Sequence, residues 1–167
     1  MLRPDEIYHE EINFAVAWWA MFAFGLSTAG FLYLAATNPI GNNPPPGGYY
    51  LGMGVFTAMV TLSVLQFRRI VVSITPDSVT VSFGLFSYRI PYRRIISAFV
   101  DEKPGIVYGG WGLRIARARG RHALVYSVLN VPRVVIEQNG SRYGYFLFST
   151  KNPEEVIRLI RQQTGVK

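Results

Sequence analysis

Residues 12–67 carry no charged side chain and no histidine. That is 56 of 167 residues, and all 27 acidic and basic side chains fall outside them. A water-soluble domain keeps charge on its exposed surface. A lipid bilayer excludes it, since one charge at the centre of a spanning helix costs about 3 kcal/mol even on the lenient insertion scale. The run reads as membrane-embedded.

It divides in two. Residues 12–36 are apolar and, at about 1.5 Å per residue, longer than a hydrocarbon core of roughly 30 Å, so they can span with some tilt. Residues 49–67 form a second span, just long enough. TNPIGNNPPPGG between them cannot continue a helix and reads as a turn outside the bilayer. The lead, MLRPDEIYHEE, holds one arginine and four acids, the wrong sign for a signal peptide, so the first span is expected to be retained. The loop has no basic residue, whereas Arg3, Arg68, Arg69, Arg89, Arg93 and Arg94 flank the spans on the other side. The positive-inside bias makes that side cytoplasmic and places both termini there. The expected location is the cell membrane of a prokaryote, with two passes. Gly25 with Ala29, and Gly54 with Ala58, put small residues one turn apart on each helix, a spacing that suits close helix packing within the hairpin or between copies.

Residues 70–167 suffice for one small domain. IVVSIT, SVTVSF, FSYRIPY, RIISAFVDE, LRIARAR, ALVYSVL, RVVIEQ and SRYGYFLF are short apolar or alternating runs separated by turn residues. Asn139-Gly140 is a strong two-residue hairpin signal, and such a turn would pair Glu137 with Arg142, Ile136 with Tyr143 and Val134 with Tyr145. Asn152 as N-cap, Pro153, Glu155 and Gly165 bound a final helix whose apolar stripe is Val156, Ile157 and Ile160. The expected fold class is α+β: residues 1–69 as lead and transmembrane hairpin, residues 70–167 as an antiparallel β-sandwich or barrel capped by a C-terminal helix.

Several stretches resemble bacterial pleckstrin-homology-like domains attached to short membrane hairpins. They are residues 74–102 with their IPY motif, YGGWGLR at residues 108–114, PDEIYHEE before the first span, and NPEEVIRLIRQQ at the end. Around LNVPRVVIEQNG the chain departs from that pattern, where a glycine-rich turn is more usual. The resemblance implies a fold and a topology, and no reaction.

The charge is one-sided. Residues 1–67 hold one basic and four acidic side chains, whereas residues 68–167 hold 16 basic and six acidic ones. Arg68 and Arg69 end the second span and the first strand follows without a linker, so they, with Arg93 and Arg94, are expected near the headgroups. Arg114, Arg117, Arg119, Arg121 and His122 form a second cluster. In extended chain Arg117, Arg119 and Arg121 share a side. It reads either as a surface for anionic lipid or a protein partner, or as a solvated loop. Trp111 with Arg114 reads either as a binding loop or as packing over the barrel end. Fourteen of the 17 basic residues are arginine, suited to phosphate and carboxylate, yet no motif of a nucleic-acid reader appears. There is no cysteine, only His9 and His122 as histidines, and no phosphate loop, so neither an enzyme nor a cofactor is expected. The expectation is a non-enzymatic membrane protein that binds protein partners as scaffold, assembly factor or accessory subunit, or itself as a homo-oligomer. The alternative is binding of anionic headgroups.

Overall fold

The computed structural model describes residues 6–37, 47–101, 112–118, 120–128 and 130–165. The chain divides into two compact units, Asn13–Arg68 and a β unit built from Arg69 onward together with the segment up to Ile12.

The first unit is two helices, α1 (Ala15–Thr37) and α2 (Gly47–Gln66). Both are long and apolar enough to cross a membrane. Trp19, Phe22, Leu26 and Tyr33 of α1, and Leu51, Phe56, Met59 and Leu62 of α2, point outward, and such faces need an apolar surrounding. The helices meet at small and hydroxylated residues. Thr28 Oγ1 donates to Thr57 Oγ1 at 2.9 Å, and Thr57 reaches back to the Met53 and Gly54 carbonyls. A Cβ on Gly54 would lie 3.1 Å from Leu32 Cδ2, whereas one on Gly25 would meet nothing within 4 Å. Of the small pairs read from spacing, only the one on α2 serves the hairpin: Gly54 is buried and Ala58 half-buried, while Ala29 is exposed. We expect Gly54→Leu to separate the helices at a cost of about 1–3 kcal/mol and Gly25→Leu to cost little. Disulfide formation between cysteines at Thr28 and Thr57 reads this directly, because the chain has no other cysteine. Equal crosslinking in both variants would contradict it.

The β unit has two sheets. The first runs β1 (Tyr8–Asn13), β2 (Arg69–Ile74), β3 (Ser78–Phe83) and β4 (Phe86–Pro91) in spatial order. A single 3-10 turn, Tyr92–Arg94, leads to the second sheet. Its strands are β5 (Ile95–Val100), β6 (Gly112–Ala118), β7 (Arg121–Ser127), β8 (Arg133–Gln138) and β9 (Tyr145–Ser149), in the order β5-β8-β9-β7-β6. The expected all-antiparallel arrangement fails at one seam. β9 lies between β7 and β8, antiparallel to β8 but parallel to β7, with Val125 beside Leu147.

β1 is the main addition to the sequence reading. The residues expected to open the first span and its lead instead form a strand at the edge of the first sheet, with Ile7 N–H donating to the Ile74 carbonyl at 2.8 Å. Ile12 is buried with Ile70, Val72, Ile74, Val79, Val81 and Phe83 of the neighbouring strands. Glu10 on the same side of the strand is buried too, and its carboxylate accepts from the Thr150 hydroxyl, from Lys151 N–H at 2.7 Å and from the Tyr8 hydroxyl at 2.9 Å. His9 faces the other way, exposed, 3.3 Å from Glu6.

An aromatic series joins the sheets. Tyr126 lies 6.0 Å from Phe83 and 5.2 Å from Phe146, and Phe146 lies 4.9 Å from Tyr88 (ring centroids). On the opposite side of the second sheet, Ala123, Val125, Val135, Tyr145 and Leu147 form a second apolar cluster. The final helix, α3 (Pro153–Thr164), buries Val156, Ile157 and Ile160 against β5, β8 and the 3-10 turn. It ends at Gly165, whose φ of 67° is the left-handed geometry expected there. Its start differs from expectation. Asn152 holds the N-cap position, but its side chain makes no cap; its amide donates to the Tyr8 hydroxyl at 3.4 Å. Glu155 pairs with Arg158 instead of closing a capping box.

Candidate partner-binding surface

The basic residues singled out from sequence separate into groups. Arg68 lies 5.7 Å from the Trp18 ring, within the helical unit. Arg69 pairs with Glu11 at 3.1 Å across the β1–β2 edge. Both are thus partly engaged inside the chain.

Several of the other arginines gather at one end of the second sheet because three turns meet there. β6 and β7 form a tight hairpin, with Ala118 opposite Arg121 and Gly120 at φ 80°, a conformation that favours glycine. The β8–β9 connection, residues 139–144, lies beside it, Gly144 N–H donating to the His122 carbonyl at 2.9 Å. The 3-10 turn lies on the other side, its Arg94 carbonyl accepting from Asn139 N–H at 2.9 Å. Arg93, Arg94, Arg117, Arg121, His122 and Arg142 are all exposed at this end. Among the described residues Glu137 is an acid at this end, half-buried, 3.8 Å from Arg121 and bonded by the Tyr145 and Ser97 hydroxyls.

Two expectations change here. Arg117 and Arg121 do not share a side: Arg117 pairs with His122 and Arg121 with Ala118, so the hairpin shows them on opposite faces. Gly144 accounts for the path of Arg121, since a Cβ there would lie 2.7 Å from Arg121 Cδ. Arg114 sits farther along β6, half-buried opposite Val125. Trp111 and Arg119 lie outside the described residues.

The β8–β9 hairpin also differs. It closes with Glu137 opposite Tyr145 and Ile136 opposite Phe146, around a six-residue loop, where a two-residue turn was expected. The shift is three residues, so every β9 side chain changes face. The loop is held by Tyr88, whose hydroxyl accepts from Gln138 Nε2 at 2.9 Å and lies 2.9 Å from Ser141 Oγ. Tyr143 packs edge-on against Tyr88. Arg142 is thereby released from the cross-strand pairing expected with Glu137 and projects beside the Tyr143 ring at 5.9 Å. Spacing alone gave no signal that Arg142 joins the basic end; the long loop brings it there.

Two phenols make the β unit alkali-sensitive. Burial, and then the neighbouring Tyr143 and Tyr88, push the Tyr126 hydroxyl up to about 12 from 10.0. Burial, and then Asp77, push Tyr92 up to about 12 as well. The folded chain therefore holds these protons where the unfolded chain releases them. Their contribution to stability is complete below pH 10 and is lost as pH rises toward 12. We expect midpoints of denaturation to fall across that interval, and less steeply in Tyr126→Phe. An unchanged slope in that variant would rule out Tyr126 as a source.

A second polar surface covers the outer side of the first sheet, a shallow depression of about 750 Å³. Its groups bond mainly to each other: Ser73 donates to Glu6 at 2.7 Å and Arg89 Nε to Ser78 at 2.8 Å. Among the described residues no three His, Asp or Glu side chains converge as metal ligands. Comparison with family models, curated proteins and solved structures finds no match.

Proposed function

We propose that the chain is a membrane protein anchored by α1 and α2, with both termini cytoplasmic, whose β unit binds a protein partner through the basic end of its second sheet. It acts as a scaffold or accessory subunit of a membrane complex and catalyses no reaction. The observation that carries the reading is the gathering of Arg93, Arg94, Arg117, Arg121, His122 and Arg142 around the β8–β9 loop, which bonds both the β6–β7 hairpin and the 3-10 turn. Exposed like charges raise each other's energy, and a complementary acidic surface relieves that cost while steering encounter. Arginine adds planar, forked pairing with carboxylates. Anionic headgroups offer the same chemistry and are the second reading.

Purification of the whole chain from its native membrane in mild detergent tests this. The expected result is a stoichiometric partner, released by salt and absent when Arg117, Arg121 and Arg142 are all changed to glutamate. Retention of the partner by that variant would sink the reading. A lone chain that instead enriches anionic lipid, and loses it in the variant, would favour the second. An Asn43→Cys label reached only from the cytoplasmic side would overturn the topology.

A further inference from the structure

We infer that the β3–β4 turn is a second membrane contact, inserting Leu85 and Phe86 into the interface of the bilayer that α1 and α2 cross. The inference rests on that membrane reading.

Leu85 is 79% exposed and Phe86 52% exposed, although they follow one another at the tip of a hairpin whose other large apolar side chains are buried. A single exposed leucine means little. Their place in the sheet gives these two meaning. Gly84, at φ 62°, makes the turn tight, and Phe83 pairs with Phe86. Ile70 pairs with Phe83, so the tip lies at the end of the sheet where β2 begins. β2 begins there because α2 ends at Gln66, leaving only Phe67 and Arg68 between them. Two linking residues reach no farther than roughly 10 Å. The last residue of β1 on the sheet side, Ile12, is at the same end, since Glu11 pairs with Arg69. Both strands that connect to the helices therefore leave the sheet beside the Leu85–Phe86 tip. The opposite end of the same sheet carries Pro76 and Asp77 of the β2–β3 turn, both exposed, with Ile7, bonded there to Ile74, less exposed than either tip residue at 40%. The apolar pair thus stands at the membrane-connected end and the polar turn at the far one. An aliphatic and an aromatic side chain, flanked by Ser82 and Ser87 hydroxyls that bond each other at 3.1 Å, suit the boundary between headgroups and acyl chains.

The chain has no cysteine, so single reporters can be placed freely. Leu85→Cys, Asp77→Cys and Val55→Cys, each carrying an environment-sensitive fluorophore, are compared in the full chain in vesicles of neutral and anionic phospholipid. The expected result at position 85 is blue-shifted emission, quenching by lipid-borne nitroxide, and several-fold lower access to an aqueous quencher than at position 77. Water access at 85 equal to that at 77, with 55 shielded, would overturn the inference while leaving the membrane reading intact. Shielding at 85 from both quenchers would mean a protein contact and would also overturn it. A water-exposed label at 55 would remove the membrane reading, and this inference with it.

Discussion

Arg133→Met is expected to destabilise the β unit by about 3–5 kcal/mol. Arg133 opens β8 and Asp101 follows β5, and both side chains are almost fully buried, at 4% and 5% exposure. The guanidinium donates twice to one carboxylate oxygen, from Nε at 2.9 Å and Nη2 at 2.8 Å, and Asp101 N–H donates to the Arg133 carbonyl at 2.9 Å. Removing the arginine takes both guanidinium bonds from a carboxylate in a site with little water, and the weakened compensation of that buried charge sets the cost. The paired variant Arg133→Met with Asp101→Leu should therefore recover most of the loss. Arg158→Ala provides the contrast: its partner Glu155 is also an acid, but the side chains are 70% and 41% exposed, and solvent screens such a pair so that its loss is small. Denaturant midpoints of the full chain compare the three. A loss in Arg133→Met no larger than in Arg158→Ala would contradict the burial argument.

Glu10→Ala comes next in size. The carboxylate accepts from the Thr150 and Tyr8 hydroxyls and from Lys151 N–H, joining β1 to the segment that opens α3, some 140 residues away. Bonds to a charged acceptor are worth about 1.5–3 kcal/mol each but do not add when they share one carboxylate, so we expect a loss of about 3 kcal/mol. Glu10→Gln keeps the volume but has one acceptor oxygen facing three donors, and should fall between. Hydrogen exchange locates the effect: protection should drop at Lys151 and in the first turn of α3 before it drops in β8. Unchanged protection at Lys151 would show that Glu10 does not hold that segment.

What the sequence disclosed follows from how local each signal is. The two helices beyond the first residues of the expected span, the strand runs before Asn139 and the end of α3 at Gly165 are marked by composition, alternation and caps within a few residues, and they form within a few residues of where they are read. β1 was hidden by its own chemistry. Its inward positions include Glu10, so the alternation Tyr8, Glu10, Ile12 looks polar until the distant Thr150 supplies the partner. The β8–β9 register was misread because Asn139-Gly140 is a turn signal by itself, while Tyr88, about fifty residues earlier, decides how far the loop extends. The parallel β7–β9 seam has no local mark at all. The gathering of basic turns was half legible: the arginines of β6 and β7 were evident, but their division between faces depends on register, and Arg142 joins them only through the long loop. On the helices, Gly25 and Gly54 look alike in sequence, and only Leu32 distinguishes them.

β1 and β2 lie side by side and run in opposite directions, Ile7 beside Ile74 and Glu11 beside Arg69. Residues 13–68 thus occupy the place of a β-turn, and the helix pair is an insertion into a domain whose first strand is synthesised ahead of it. A fragment starting at residue 70 would lack that strand and the Glu10 clamp on α3. Joining Ile12 to Arg69 through a short Asn-Gly connection would instead keep the sheet whole and yield the β unit free of lipid. The helix pair is, in its topology, the loop of a β domain.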